Sequence, residues 1–178
     1  NPLPTPGPFA FAYKWNRRRW WWWDRCIDYP YWERIVTTHG LNGSMMAQTF
    51  LNDADGWLTG ANIFLTRKGS TGDLTVLLCE THDTGQPNID AVIAESLPIS
   101  PEYMNLWPYS TRVVFPPALL QQGKRYALAF ITAGNHYLAT TERNQLTSGT
   151  LFYSTDQAWF QGFGDMSRDL AFELIFAE

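Results

Sequence analysis

Residues 46–80, MAQTFLNDADGWLTGANIFLTRKGSTGDLTVLLCE, contain the pattern that decides the fold. Residues 47–51 form a short, apolar, β-prone segment, and the polar, turn-forming sequence NDADG follows it. Apolar and polar side chains then alternate over residues 57–68, and a turn with two glycines separates this segment from a second alternation at residues 74–78. Alternation with a period of two, bounded by Gly, Asn and Asp, predicts half-buried antiparallel strands joined by hairpins.

The rest of the chain continues the same pattern. Shorter alternating segments follow, separated by turn-forming residues roughly every 8–15 positions, and no long segment has helical periodicity. In the last segment, residues 169–177, every second residue is a large apolar one. Residues 100–102 favour a single helical turn. About eight or nine strands at this spacing predict an all-β fold, an antiparallel β-sandwich of the jelly-roll type.

The first 43 residues differ in character from the rest. Residues 1–8, NPLPTPGP, are typical of an extended interdomain linker, so we expect the chain to be part of a longer one. Residues 17–25, RRRWWWWDR, concentrate arginine and tryptophan. We therefore predict two parts, a linker with a Trp-rich arm over residues 1–43 and a jelly-roll domain over residues 44–178.

Composition and charge narrow the classes of function. Aromatic residues make up 16% of the 178 residues, which favours strands and adhesive surfaces. The net charge of −4 gives no electrostatic reason to expect a nucleic-acid partner. No apolar run reaches the roughly 18 residues that a membrane-spanning helix needs, so we expect no membrane span. Cys26 and Cys79 follow no metal or redox spacing, and free thiols are favoured over a disulfide between them.

Residue types that enzymes use are present without a recognisable arrangement. The three histidines have no metal-ligand spacing, and no phosphate-binding loop, dinucleotide-binding motif or serine-hydrolase motif occurs. A glycosidase needs two opposed carboxylates. The sequence pairs none of the candidates, which are Glu80, Asp83, Glu95, Asp156, Asp165, Asp169 and Glu173. We predict that the protein is not an enzyme and has no cofactor apart from a candidate structural calcium ion.

Sugar binding is better supported than enzymatic activity, because three loops contain suitable residues. β-Sandwiches bind sugars by stacking them on an aromatic ring, while flanking polar side chains bond the hydroxyls. The candidates are Trp107 and Tyr109 in one loop, Asn135, His136 and Tyr137 in a second, and Trp159 in a third. The alternative is that each tryptophan covers the edge of the core, because large apolar side chains are usually buried.

The tryptophan run predicts a surface for assembly. Its members are Arg17, Arg19, Trp20, Trp21, Trp22 and Trp23. Tryptophan and arginine are common anchors of protein interfaces, so we expect these six residues to contact other subunits, copies of the same chain included. A cation–π platform for nucleic acid and insertion at a membrane surface are the alternatives, and the acidic net charge argues against the first.

A structural calcium ion is a further candidate. Asp53 and Asp55, one residue apart in a turn, and Asp169 near the C-terminus could supply the oxygen ligands that Ca²⁺ prefers. The alternative for a pair of aspartates in a tight turn is ordinary hydrogen bonding to the turn's own backbone.

Several segments follow one another in a recognisable order. They are MMAQTF at 45–50, the acidic turn NDADG, LTG at 58–60, IFLTRK at 63–68, GQPN at 85–88, VVFPPALL at 113–120, GKRYAL at 123–128, YLA at 137–139 and DLAF at 169–172. In order and spacing they resemble a jelly-roll module, similar to carbohydrate-binding modules, that occurs in tail and baseplate-region proteins of tailed bacteriophages. The resemblance covers about residues 44–176 and includes no catalytic signature.

The resemblance implies a component of a phage virion. Such a module belongs to a tail-tip or fibre protein, is not an enzyme, and acts in assembly with other tail subunits and in contacts with host-surface glycans. The alternative is a carbohydrate-binding module attached to a secreted, extracellular bacterial enzyme, a setting in which linkers rich in proline and threonine are common.

Overall fold

The computed structural model describes residues 37–40, 45–141, 146, 148–154, 164–165 and 169–177. This part of the chain contains eleven strands and one turn of 3₁₀ helix. The strands are β1 Thr37–Gly40, β2 Met45–Leu51, β3 Gly56–Arg67, β4 Leu74–Thr81, β5 Pro87–Glu95, β6 Ser110–Leu120, β7 Arg125–Thr132, β8 Tyr137–Thr140, β9 Leu151–Ser154, β10 Gly164–Asp165 and β11 Phe172–Phe176. The 3₁₀ turn covers Pro101–Tyr103, where the sequence predicted a helical turn.

The strands form two antiparallel sheets packed against each other. In the first sheet β1, β8 and β3 follow in order, and β3 also pairs with β6 and β11. The second sheet has the order β10-β9-β2-β7-β4-β5. The series β1-β8-β3-β6 and β2-β7-β4-β5 are the two four-stranded sheets of a jelly roll. The predicted fold is confirmed, and nine of the described strands between residues 45 and 177 have four or more residues.

The hairpins predicted within residues 46–80 are wrong. β2 and β4 both lie in the second sheet and pair with β7, whereas β3 lies in the first sheet. Turn-forming residues indicate where the chain reverses, but they do not determine which sheet the next strand joins. The partner that separates β2 from β4 comes from residues 125–132, more than 40 positions further along the chain.

The first strand comes from the region predicted as an arm. Thr37–Gly40 pair along their whole length with Tyr137–Thr140 of β8. These four residues precede the predicted domain start at residue 44, yet they supply the edge strand that completes the first jelly-roll sheet. The rest of the predicted arm lies outside the described residues.

Apolar side chains from both sheets fill the space between them. β6 alternates strictly between buried and exposed residues over its first six positions after Ser110, and β11 alternates between buried and half-buried residues throughout. Phe50 of β2 lies 6.1 Å from Tyr126 in its own sheet and 6.2 Å from Phe172 in the opposite one, measured between ring centroids. Aromatic contacts of this kind connect the two layers across the core.

A polar contact also lies inside the sandwich. Gln48, at the centre of β2, is fully buried, and Asp169 is 1% exposed. The Gln48 Nε2 group donates to Asp169 Oδ1 at 3.1 Å, and its Oε1 accepts from the Leu170 N–H at 2.8 Å. Asp169 Oδ2 also accepts from the Leu146 N–H at 2.7 Å. Buried polar groups are tolerated when they are hydrogen-bonded. This network therefore holds residues 169–170, which lead into β11, against β2.

Replacing the buried glutamine should therefore destabilise the fold. We expect Gln48→Ala to lower the free energy of unfolding by about 2–4 kcal/mol, because a buried carboxylate and a buried N–H each lose a partner. Urea denaturation measures the change. Gln122→Ala, at an exposed position in the turn before β7, is the matched control and should change stability by less than about 0.5 kcal/mol. Equal effects of the two substitutions would contradict the role assigned to Gln48.

Candidate functional site

The chain between β5 and β6 runs along the outer edge of β6. The Leu97 N–H donates to the Val114 carbonyl oxygen at 3.2 Å, and Ile99 exchanges two backbone hydrogen bonds with Leu74, at 2.9 and 3.0 Å. Met104, only 1% exposed, inserts into the core. Residues 97–104 are thus attached to both sheets.

Two side chains fix the end of this segment. Lys68 Nζ, just after β3, donates to the carbonyl oxygens of Pro101 at 3.0 Å and Met104 at 2.8 Å. The Asn105 N–H donates to Thr111 Oγ1 at 2.9 Å, and that hydroxyl donates to the Asn105 carbonyl oxygen at 3.2 Å. A surface segment held in one conformation loses less entropy when a ligand binds.

A groove of about 350 Å³ lies between this segment and β6, and we call it the edge groove. Ligand sites measure roughly 300–1,000 Å³, so its size suits a small ligand. Its lining includes the apolar side chains of Leu97, Tyr103 and Val114 and the polar side chains of Asn105, Ser110 and Arg112. Tyr103 is 71% exposed, which leaves most of its ring accessible to a ligand.

A row of polar side chains crosses the outer face of the first sheet beside the groove. The strand register places Arg112 of β6 next to Asn62 of β3, and Asn62 next to Glu173 of β11. Asn62 Nδ2 donates to Glu173 Oε1 at 2.5 Å. Burial raises the pKa of the half-buried Glu173 carboxyl, and the Asn62 hydrogen bond and the Arg112 charge oppose that shift. Arg112 makes no hydrogen bond or ion pair with any residue that the structure describes.

Gly60 provides the space in which the Arg112 side chain lies. A Cβ atom at position 60 would be 2.5 Å from the Val113 carbonyl oxygen and 3.2 Å from Arg112 Nε. The first distance is too short for a real contact, so a larger residue would push β3 away from β6, and the second is tight, so the Arg112 side chain would also have to move slightly. The arginine therefore lies against the surface of β3.

The two aromatic residues predicted in the loop before β6 have different environments. Trp107 is half-buried and packs edge-on against Phe64, with ring centroids 5.8 Å apart, in a cluster with Ala139 and Ala171. It covers apolar residues, which is the alternative that the sequence left open. Tyr109 is 72% exposed and remains accessible to a ligand.

The predicted sugar ligand His136 is buried and holds two turns together. Its Nδ1 atom accepts from the Gly69 N–H at 3.1 Å, and its Nε2 atom lies 2.6 Å from the Gly72 carbonyl oxygen. Because Nδ1 accepts, the proton is on Nε2 and is donated to Gly72. Both ring nitrogens are occupied within the fold, so His136 is a structural residue here.

The predicted sugar residues do not form a single site. Tyr109 precedes β6, whereas Tyr137 lies on β8, on the other side of β3, where the Arg67 guanidinium stacks 5.4 Å from its ring centroid. Asn135 is exposed in the loop before β8. Trp159 and the six predicted interface residues lie outside the described residues, namely Arg17, Arg19, Trp20, Trp21, Trp22 and Trp23.

The three predicted calcium ligands are not brought together. Asp55 Oδ1 accepts from the Gln122 N–H at 2.7 Å, and Asp53 is half-buried in the same turn. Asp169 lies against Gln48, at least four strand residues from that turn, a separation of roughly 13 Å. Among the described side chains, no group of three or more His, Cys, Asp or Glu could hold a metal ion.

Two other reactive groups, Glu80 and Cys79 of β4, are respectively paired and buried. Glu80 forms an ion pair with Lys124 at 2.6 Å, and this hydrogen bond raises the pKa of Lys124. Burial raises the pKa of the Cys79 thiol to about 12, and the thiol is free, as expected. A thiol with this pKa is unreactive at neutral pH.

Sequence reasoning missed Tyr103 and Arg112. The alternation of Ser110, Arg112 and Val114 places these side chains outward on β6, and this signal was available. Nothing in the sequence indicated that residues 97–105 would lie alongside them, because that contact depends on backbone hydrogen bonds to β6 and β4.

Comparisons with known proteins add no assignment. No protein-family model matches this chain, and no curated protein sequence matches it.

In the part of the chain that the structure describes, no helix has the length and apolar character needed to cross a membrane. The structure defines the class by itself, an all-β jelly-roll sandwich with a surface groove beside an exposed tyrosine and an arginine.

The neighbouring aromatic residues give a direct test of this geometry. Trp107→Ala should lower the free energy of unfolding by about 2–3 kcal/mol, because it uncovers Phe64 and leaves a cavity. Tyr109→Ala, two positions away and exposed, is the matched control and should change stability by less than about 0.5 kcal/mol. Chemical denaturation of both variants measures the difference. A larger loss from Tyr109→Ala would show that the two environments are reversed.

The raised pKa of Glu173 predicts a pH dependence of stability. The folded protein holds this proton more tightly than the unfolded chain, so folding is favoured at low pH and penalised once the carboxyl ionises. Glu173→Gln removes the ionisation and keeps an acceptor for Asn62. We expect it to be more stable than the wild type at pH 7, with the difference narrowing as pH falls towards the ordinary value of 4.5. A difference that widens on acidification would contradict this interpretation.

Proposed function

We propose that this chain is a non-enzymatic module of a tailed-bacteriophage virion, part of a tail-tip or fibre protein that acts in tail assembly and binds glycans of the host surface. The observation that carries the binding function is the edge groove, whose lining residues include the exposed Tyr103 and Arg112.

The groove has the chemistry that sugars require. A pyranose presents a C–H face that stacks on an aromatic ring and hydroxyls that need hydrogen-bonding partners. Tyr103 offers the ring, and Asn105, Ser110 and Arg112 border it with polar groups. The hydrogen bonds from Lys68 and Thr111 hold the segment in place before a ligand arrives. The exposed Tyr109, next to Ser110, extends the aromatic surface.

The assembly function rests on the resemblance to phage tail modules. The four residues of the AQTF motif, at positions 47–50, are all at most 3% exposed, so the motif reflects packing inside the sandwich. The shared feature is therefore the scaffold, and function resides on the surface and in the Trp-rich arm. The described residues that line the groove include no carboxylate, and a pair of carboxylates is what glycoside hydrolysis requires.

The same groove would serve a carbohydrate-binding module of a secreted enzyme, the second candidate. The proline-rich residues 1–8 favour this alternative, because such linkers join binding modules to catalytic domains. The sequence that flanks this chain in its parent protein separates the two functions. Fibre or baseplate sequence supports the virion component, and a catalytic domain supports the secreted enzyme.

A glycan array probed with the full chain tests the binding function. We expect retention of a defined set of glycans, and Tyr103→Ala should weaken that binding about tenfold, equivalent to about 1.4 kcal/mol. Trp57→Ala is the matched control, since this aromatic residue is 51% exposed on β3 and does not line the groove. Failure of the folded chain to bind any glycan, or equal losses from both variants, would contradict the proposal.

A further inference from the structure

We propose that the edge groove selects acidic sugars, with the carboxylate of a uronic or sialic acid on the Arg112 guanidinium and the sugar ring on Tyr103. This inference rests on the proposed glycan binding and names the class of glycan.

The Arg112 charge is not neutralised by a direct partner in the described structure. Glu173 is the carboxylate that shares its row on the sheet, but Glu173 bonds Asn62, which lies between them. Among the described residues that line the edge groove none is acidic, and Arg112 is the basic one. A ligand carboxylate would therefore meet a cation that has no competing carboxylate of the described residues within hydrogen-bonding distance.

The backbone around Arg112 favours recognition in a fixed orientation. Arg112 lies on β6, and its pairing with Asn62 and the space above Gly60 define where the side chain can lie. A guanidinium presents a planar set of donors that matches the two oxygens of a carboxylate. Charge-assisted hydrogen bonds of this type are stronger than those between neutral groups.

The remaining lining favours a sugar over other acids. Tyr103, Leu97 and Val114 supply the apolar surface for the face of a pyranose ring, and Asn105 and Ser110 supply polar groups for hydroxyls. Lys68 is bonded to the carbonyl oxygens of Pro101 and Met104, so it holds the segment and leaves anion binding to Arg112. An acidic peptide would use the charge but not the aromatic surface.

The experiment compares matched acidic and neutral sugars on the full chain. Trigalacturonic acid and its carboxyl-reduced form make one pair, and sialyllactose and lactose make a second, each measured by titration calorimetry. We expect at least one acidic member to bind about tenfold or more tightly than its neutral counterpart, equivalent to about 1.4 kcal/mol. Arg112→Gln should remove this preference, and Arg112→Lys, which keeps the charge but not the planar fork, should retain part of it.

The outcomes separate this inference from the function on which it rests. If Tyr103→Ala weakens binding of both members of a pair while Arg112→Gln leaves their ratio unchanged, the groove binds glycans and the acidic selection is overturned. Equal competition by polyglutamate would also overturn it, because charge alone would then explain binding. If no sugar of any kind binds to the folded chain, glycan binding and this inference both fail. Thermal unfolding of each variant confirms that it is folded, as expected for the exposed Arg112 position.

Discussion

The hydrogen bonds between Gln48 and residues 169–170 are the contact on which the outer face of the first sheet depends. Gln48 belongs to the second sheet, and the chain that follows Asp169 becomes the last strand of the first sheet. The contact therefore sets where β11 begins relative to the core. Four residues after Asp169, Glu173 reaches Asn62 and occupies its amide. A buried polar contact on one side of the sheet thus determines which groups lie beside Arg112 on the other side.

The fold was predictable from the sequence because burial repeats every second residue in a strand. The alternation at residues 57–68, 74–78 and 169–177 correctly indicated strands, and their number and spacing indicated a jelly roll. The membership of each strand in a sheet was not predictable, and the expected hairpins were wrong. β2, β3 and β4 follow one another in the chain but alternate between sheets, because β2 and β4 flank β7 and β3 pairs with β6, β8 and β11.

The candidate site was predictable only in part. The alternation along β6 is visible in the sequence, but the contacts that place residues 97–105 beside β6 join residues that are far apart in the chain. Tyr109 was identified from its loop and is exposed, but Trp107 faces Phe64 and His136 is bonded to the turn that contains Gly69 and Gly72. Residue type alone does not distinguish these cases. An aromatic or imidazole side chain in a loop can cover the core, fasten a turn or meet a ligand, and the neighbouring strands determine which of these it does.

The electrostatics of the chain favour short-range recognition at the groove. The net charge of −4 repels polyanions at a distance, and the ion pair of Glu80 with Lys124 leaves neither group as an isolated charge. At physiological ionic strength the field of a single arginine is screened within about 8 Å. The Arg112 charge therefore acts on a ligand only when that ligand is already in the groove, against the Tyr103 ring. A polyanion such as a nucleic acid gains little from one such contact, whereas the acidic sugar that we propose would gain the charge and the stacking together.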